Sequence, residues 1–261
     1  MEIKDDKIDQ GKPFDWGRVS EEYARYRDIY PPEFYRAITD RGLCVDGQRV
    51  LDLATGTGVL PRNLYSMGAK WTGVDISDNQ ITYARELSQG KDITYLVSMV
   101  EDVDFEDCSF DVITACQCFW YFDHDKLAPK LAHMLTKDGR LLILYMAWLP
   151  FQDDIAGQSE KLVLRYNPKW SGAGETIRPI DVPDIYKQYF EVEDQRQFEI
   201  KVHFTRESWH GRMKACRGVG ASLTPSQLRE WEQEHLKLLS KIAPQEFDVL
   251  HYVAIAELSK K

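Results

Sequence analysis

From residue 49 to residue 148, short apolar runs and helical segments take turns, and this alternation constrains the fold more than any other feature of the chain. The runs Arg49 to Ala54, Trp71 to Ile76, Ile93 to Met99, Phe110 to Gln117 and Leu141 to Trp148 each have the length of a buried strand. Between them lie helical patterns over Val59 to Met67, through Tyr83 and Leu87, and through Leu127, Leu131 and Leu135. Ser77 or Asp78 caps the second of these helices. An N-cap at Asp125 would place Pro129 in the first turn of the third. Strands that alternate with helices in this way form βαβ units, so the expectation is an α/β fold: a mostly parallel sheet with helices on both faces.

The rhythm is different at both ends. Ser20 opens a helical pattern with Tyr23, Ala24 and Arg27 on one side; Tyr30-Pro31-Pro32 breaks it, and Phe34 to Ile38 restart it. Beyond Pro150, residues 151–190 read as helix plus irregular chain. Glu191 to Phe204 and Val249 to Leu258 read as two late strands, paired at one sheet edge. Between them stand helices over Thr205 to Cys216 and Ser226 to Ile242, the latter with Trp231, His235 and Leu239 on one stripe. Three segments are expected: an amino-terminal helical piece, 1–45; a core, 46–150; and a lid with the last two strands, 151–261.

Within the core, Val50-Leu51-Asp52-Leu53-Ala54-Thr55-Gly56-Thr57-Gly58 runs a strand into a glycine turn that opens a helix. Such a turn lets backbone approach a ligand at the carboxyl end of a sheet. A dinucleotide fingerprint would need a third glycine where Pro61 stands, and a P-loop would need a following Gly-Lys-Ser/Thr, which is absent. Instead Asp52 precedes the turn, and a second acid, Asp75, ends the next strand, where a carboxylate can grip ribose hydroxyls.

These residues resemble the class I S-adenosylmethionine-dependent methyltransferases, in particular the small-molecule group that includes quinone-biosynthesis and trans-aconitate enzymes. The resemblance also draws on Ser20 to Arg27, Gly73 to Ser77, Glu101 to Phe105, Ser109 to Ile113 and Leu135 to Leu141. It implies a Rossmann-like seven-stranded sheet whose last strand is antiparallel, with S-adenosylmethionine as the cofactor. It also implies that Tyr23 and Arg27 cover the methionine end, that Asp52, Gly56 and Gly58 face the methionine moiety, and that Asp75, beside Ile76, holds the ribose. Ala54 stands where the family has its first motif glycine. Met99 stands where many relatives carry an aspartate directed at adenine; Val100 and Glu101 supply contacts there, and Gln117 lines the site from the fourth strand.

For the methyl acceptor, the stretch Gln117 to His124 offers an aromatic wall. Trp120, Tyr121 and His124, with Tyr145 and Trp148 on the fifth strand, are the pocket candidates; aromatic faces suit a sulfonium cation. The implied activity is methylation of a small molecule, with an oxygen such as a carboxylate as the leading acceptor, carbon or nitrogen as alternatives, and non-catalytic donor binding as the competing reading. Arg206, Arg212 and Arg217 could hold an anion, but charged residues on helices read first as solvated faces. His235 reads as a core histidine, and Cys116 and Cys118 as packing residues, with no metal site expected.

The net charge of −9 counts against a nucleic-acid partner. Five scattered cysteines, a charged start (Met1-Glu2-Ile3-Lys4) and no apolar run of membrane length point to a reduced, cytoplasmic protein without a membrane partner.

Overall fold

A computed structural model describes residues 4, 6 and 8–261. The chain forms two compact units. One comprises residues 30–146, 178–198 and 253–261; the other comprises residues up to 29 together with 147–177 and 199–252. The units therefore cut across chain order: residues 30–45 group with the sheet, and the rest of the amino-terminal segment groups with much of the carboxyl-terminal third.

The first of these units is built on strands β1 (Arg49–Leu53), β2 (Lys70–Asp75), β3 (Ile93–Val97), β4 (Phe110–Cys116), β5 (Leu135–Trp148), β6 (Phe190–Thr205) and β7 (Glu246–Lys260), the last three running on into the other unit. They form one seven-stranded sheet in the order β3-β2-β1-β4-β5-β7-β6. β1 pairs in parallel with β2 and β4, β2 with β3, and β4 with β5, while β7 is antiparallel to β5. The order reverses at β1, between β2 and β4. That is where a doubly wound sheet opens a crevice at the carboxyl ends of its strands. The core buries Leu51, Leu53, Ile113, Leu141 and Ile143 against Leu127 and Leu131 of α5 (His124–Met134), with Tyr186 and Phe190 on the same side.

The helices α2 (Pro32–Thr39), α3 (Val59–Leu64) and α4 (Asp78–Leu87) lie where the periodicity placed them. Ser77 is the N-cap of α4, its hydroxyl accepting from the Gln80 amide. Two details of the next helix differ from expectation. The N-cap of α5 is Asp123 rather than Asp125, so Pro129 sits beyond the first turn, where it leaves an interior carbonyl without its amide partner. The helix also stops at Met134, and β5 begins at once. Pairing of β4 with β5 then jumps from Phe110↔Leu135 to Val112↔Arg140. Gly139 serves this irregularity: a Cβ there would stand 2.8 Å from Leu135 Cδ2 and 3.0 Å from the Thr136 carbonyl oxygen.

The second unit packs α1 (Ser20–Tyr26), α6 (Asp154–Tyr166), α7 (Arg206–Lys214) and α8 (Pro225–Ile242). Gly211 lets α1 and α7 approach closely, since a Cβ there would lie 2.3 Å from the Tyr26 ring. Lys214 ties the same helices to α8 through Glu22 at 2.8 Å and Glu232 at 2.7 Å. Buried Asp9 accepts from the Ser171 amide at 2.7 Å and pairs with Arg217 at 3.0 Å, which fastens the amino-terminal segment within this unit. Arg217 is thus buried rather than on a solvated face, and so is Arg212. Both corrections have one cause: a partner remote in sequence covers the helix side that pattern alone assigns to water.

His235 is fully buried, as its stripe implied. Its Nδ1 shares a hydrogen bond with His210 Nδ1 at 2.9 Å, and its Nε2 meets Ser159 Oγ at 3.0 Å, which also accepts from Trp209 Nε1. Burial pushes His210 down to about 4, and His235 and His251 down to about 3. Below the ordinary histidine value of 6.5 the unfolded chain therefore binds protons that the folded chain excludes, and stability must fall as pH falls from there toward 4. Asp52, raised by burial to about 6, acts in the opposite sense over the same interval, as do Asp75 and Glu160, which burial also raises. The three histidine shifts are the larger, so acid is expected to destabilise the protein. A urea titration at stepped pH checks this: each fully buried histidine adds a slope of about 1.4 kcal/mol per pH unit. His235→Gln should flatten the profile, and a midpoint that stays level from pH 6.5 to 4.5 would contradict the assignment.

Candidate functional site

The carboxyl ends of β1 and β2 carry the residues that the glycine turn singled out. Asp52, next to last in β1, is buried. Its Oδ1 accepts from Thr114 Oγ1 and its Oδ2 from Thr55 Oγ1, both at 2.6 Å. After Leu53 the chain turns through three left-handed residues, Ala54 (φ 47°), Gly56 (φ 57°) and Gly58 (φ 71°). Alanine is a poor choice for the first of these, since a Cβ in that region costs roughly 1–2 kcal/mol. Ala54 thus takes a backbone conformation that favours glycine.

Asp75 closes β2 facing that turn. Its Oδ2 accepts from the Gly56 amide and its Oδ1 from the Ser77 amide, each at 2.9 Å. The second bond is local to the start of α4; the first reaches across to the glycine turn and fixes its shape. An ionised carboxylate accepts about four hydrogen bonds, so both acids retain acceptor capacity. Burial raises both carboxyls above the ordinary range, Asp52 to about 6, and the nearby Asp75 charge raises Asp52 further. The site is thus a buried, electronegative pocket floor. In the middle of the turn, Thr57 Oγ1 is buried with no hydrogen-bond partner, an unmet polar group such as a bound ligand would satisfy.

Three further residues shape this floor without having been singled out in the sequence. Tyr95 on β3 abuts two glycines: a Cβ on Gly58 would stand 2.2 Å from its hydroxyl, and one on Gly73 2.9 Å from its Cδ1. Its hydroxyl is shared with Ser88 Oγ at 2.9 Å. Thr55 and Thr114 hold Asp52. The available signal was Thr114 itself, a hydroxyl inside the otherwise apolar run Val112 to Ala115.

The remaining cofactor candidates fall along the neighbouring strand ends. Ile76 is half-buried, Val100 is buried, and Met99 is 44% exposed. Glu101 Oε1 accepts from the Asp123 amide at 2.9 Å, at the start of α5. Gln117 follows β4 in a left-handed conformation (φ 66°), and its side-chain amide donates to the Met146 carbonyl at 2.6 Å. A non-glycine residue held there is strained, a condition concentrated at functional sites.

Among the acceptor candidates the aromatic stretch divides. Phe119 is buried in the core, whereas Trp120 is 44% exposed and lies edge-on against Tyr145, centroids 4.8 Å apart. Tyr121 sits 5.8 Å from Trp120. His124 packs on Phe119, and its Nδ1 meets the Tyr186 hydroxyl at 3.2 Å. The other three candidates belong to the second unit. Tyr23 stacks under Arg27, whose guanidinium lies 4.8 Å from the ring centroid, and the Trp148 Nε1 donates to Glu160 at 2.8 Å. Cys118 is buried with its Sγ toward the Leu53 carbonyl, and Cys116 faces the Tyr30 hydroxyl. No group of residues suited to a metal ion occurs among the described residues.

Comparison with known proteins bears directly on this floor. The profile of a methyltransferase domain family matches residues 51–143, from the strand before the glycine turn through β5. This stretch is thus similar to a methyltransferase domain. The chain is similar to an uncharacterised methyltransferase of Mycobacterium tuberculosis, 29% identical over 52% of this chain and 56% of that protein. It is also similar to a ubiquinone biosynthesis O-methyltransferase of Xanthomonas axonopodis, 28% identical over 47% of this chain and 53% of that protein. The chain thus spans about half the length of the curated relatives it matches. The fold extends further than the sequence likeness: a structure from Anaeromyxobacter dehalogenans, assigned as a type II methyltransferase, superposes over 88% of this chain and 96% of its own with a TM-score of 0.58 at 19% identity. No helix among the described residues is long and apolar enough to cross a membrane.

Proposed function

We propose that this protein transfers a methyl group from S-adenosylmethionine to a small molecule, at an oxygen such as a carboxylate. The observation that carries this reading is the pairing of the Asp75 carboxylate with the Gly56 amide across the floor of the β1–β2 crevice. It leaves a buried acid with spare acceptor capacity beside a glycine turn, which suits a ligand bearing vicinal hydroxyls. Asp52, buried and anionic at neutral pH, suits the ammonium of an amino-acid moiety, and the unmet Thr57 hydroxyl lies between them in sequence. The donor supplies a sulfonium-bound methyl group with a good leaving group. The protein's own part is then to orient the two reactants and exclude water, and orientation alone supplies much of the acceleration in such a displacement. A carboxylate acceptor has no proton to lose, so this reading needs no general base. The oxygen preference rests on the trans-aconitate-like aromatic stretch, and the O-methyltransferase relative supports it.

Incubation of the protein with isotope-labelled donor and a panel of small carboxylic acids, phenols and amines tests the activity. Label in a product that mild alkali releases as methanol identifies an ester; alkali-stable label moves the acceptor to carbon, nitrogen or a phenolic oxygen. Trp120 offers a second check. Because 44% of it is exposed, Trp120→Ala should destabilise the protein by less than the roughly 3–5 kcal/mol that a fully buried tryptophan would cost. Turnover should nevertheless fall by about tenfold or more if its ring borders the reacting methyl group. Unchanged turnover would remove Trp120 from the acceptor site.

A further inference from the structure

Acids outnumber lysines and arginines in this chain by 42 to 33, yet the groove between α6 and α8 has the opposite balance. The groove has a volume of about 450 Å³. Lys161 and Arg165 line it from α6, Lys237 and Lys241 line it from α8, and among the described residues Glu234 is its one acid. Glu234 is already engaged: its Oε2 pairs with Arg165, and its Oε1 accepts from the Tyr166 hydroxyl at 3.1 Å. Lys161, Lys237 and Lys241 are exposed, and none of them pairs with an acid among the described residues.

This arrangement works against the free protein. On each helix the two cations stand four residues apart, a spacing at which like charges repel. His235 Nε2 and Ser159 Oγ, 3.0 Å apart, hold the two helices together, so both pairs border one space. Cβ atoms four residues apart on a helix are separated by about 5–6 Å, and packed helix axes by about 8–10 Å. One isolated anion cannot span such a spacing, whereas a row of phosphate groups presents anionic oxygens across it. Lysine serves phosphate as a mobile point charge. The groove does not suit a protein partner, whose interface needs an apolar core. Its apolar lining is Leu162, 6% exposed, and half-buried Leu238. Its volume instead falls within the range of small-molecule sites, about 300–1,000 Å³. The geometry points to a binding site for a small molecule with two or three phosphate groups in a row, held by Lys161, Lys237 and Lys241.

Calorimetry on the whole protein at low ionic strength tests the site, with tripolyphosphate, uridine triphosphate and inorganic phosphate as probes. Each titration is run with and without S-adenosylhomocysteine. The parent should bind a polyphosphate saturably, one to one and more tightly than inorganic phosphate, whether or not S-adenosylhomocysteine is present. Tighter binding of uridine triphosphate would identify the ligand as an organic ester, and tighter binding of tripolyphosphate as the inorganic chain. The double variant Lys161→Gln, Lys237→Gln should weaken the polyphosphate by about threefold to thirtyfold, the range expected for two exposed charge pairs. It should melt no lower than the parent, because it relieves repulsion on both helices. The control variant Lys91→Gln, Lys201→Gln removes the same charge from exposed positions outside the groove lining and should bind as the parent does. Absence of saturable polyphosphate binding, equal affinity in the groove variant and the parent, or an equal loss in the control overturns the inference. So does displacement of the polyphosphate by S-adenosylhomocysteine, which would place it in the β1–β2 crevice.

Discussion

Gly58→Ala is expected to lower stability by about 2–5 kcal/mol and to take donor binding with it. Two costs add. A residue with a Cβ at φ 71° pays roughly 1–2 kcal/mol for the left-handed conformation. The new methyl group would also stand 2.2 Å from the Tyr95 hydroxyl and 2.9 Å from its ring carbon, and relief of such overpacking costs about 1–3 kcal/mol. Tyr95 cannot simply swing aside, being buried and bonded to Ser88. The two costs can be separated: Tyr95→Phe deletes the closest atom but not the ring, so the double variant should recover part of the loss and keep the backbone part. Urea unfolding of the parent, both single variants and the double variant measures this coupling. A Gly58→Ala protein as stable as the parent would mean that the turn does not have the conformation described.

The sheet was legible because its signal is local. Runs such as Leu141 to Trp148, and Val112 to Cys116 with the single hydroxyl of Thr114, are nearly all apolar, as expected of strands buried on both faces. The glycine turn was legible for the same reason, since left-handed backbone at Gly56 and Gly58 leaves its mark in residue type. What lay beyond reach depended on distant partners. Nothing near Gly58 in sequence announces Tyr95, on a strand two positions away in the sheet. Strand β5 begins at Leu135, six residues before the apolar run at Leu141 suggests, because it pairs irregularly with Phe110. Arg212 has the sequence context of a solvated helix, and only the structure shows that it is buried, its guanidinium over the Trp148 ring. Met99 was noted as a departure, and the structure adds that its side chain is half exposed, so it is not a core substitute for the missing acid.

Asp75 carries the second large effect and the central claim. Its carboxylate already accepts from Gly56 and Ser77, so any change there disturbs both the turn and the start of α4. Asp75→Asn must direct an amide N–H at one of these backbone donors, and Asp75→Ala leaves both unpaired. A buried donor without a partner costs about 1–3 kcal/mol, so the free protein should melt lower in either case. A melt shift by itself therefore does not separate a structural role from ligand binding. Affinity does. If the spare lone pairs of Asp75 hold the ribose hydroxyls, each lost bond to the charged group removes about 1.5–3 kcal/mol, and every 1.4 kcal/mol is tenfold.

The measurement that tests this most directly is calorimetric titration of S-adenosylhomocysteine into the parent protein, Asp75→Asn and Asp75→Ala, below their own melting temperatures. The account predicts saturable binding by the parent and a weakening of roughly tenfold to a few hundredfold in both variants. No binding by the parent, or variants that melt lower yet bind as tightly as the parent, would contradict it.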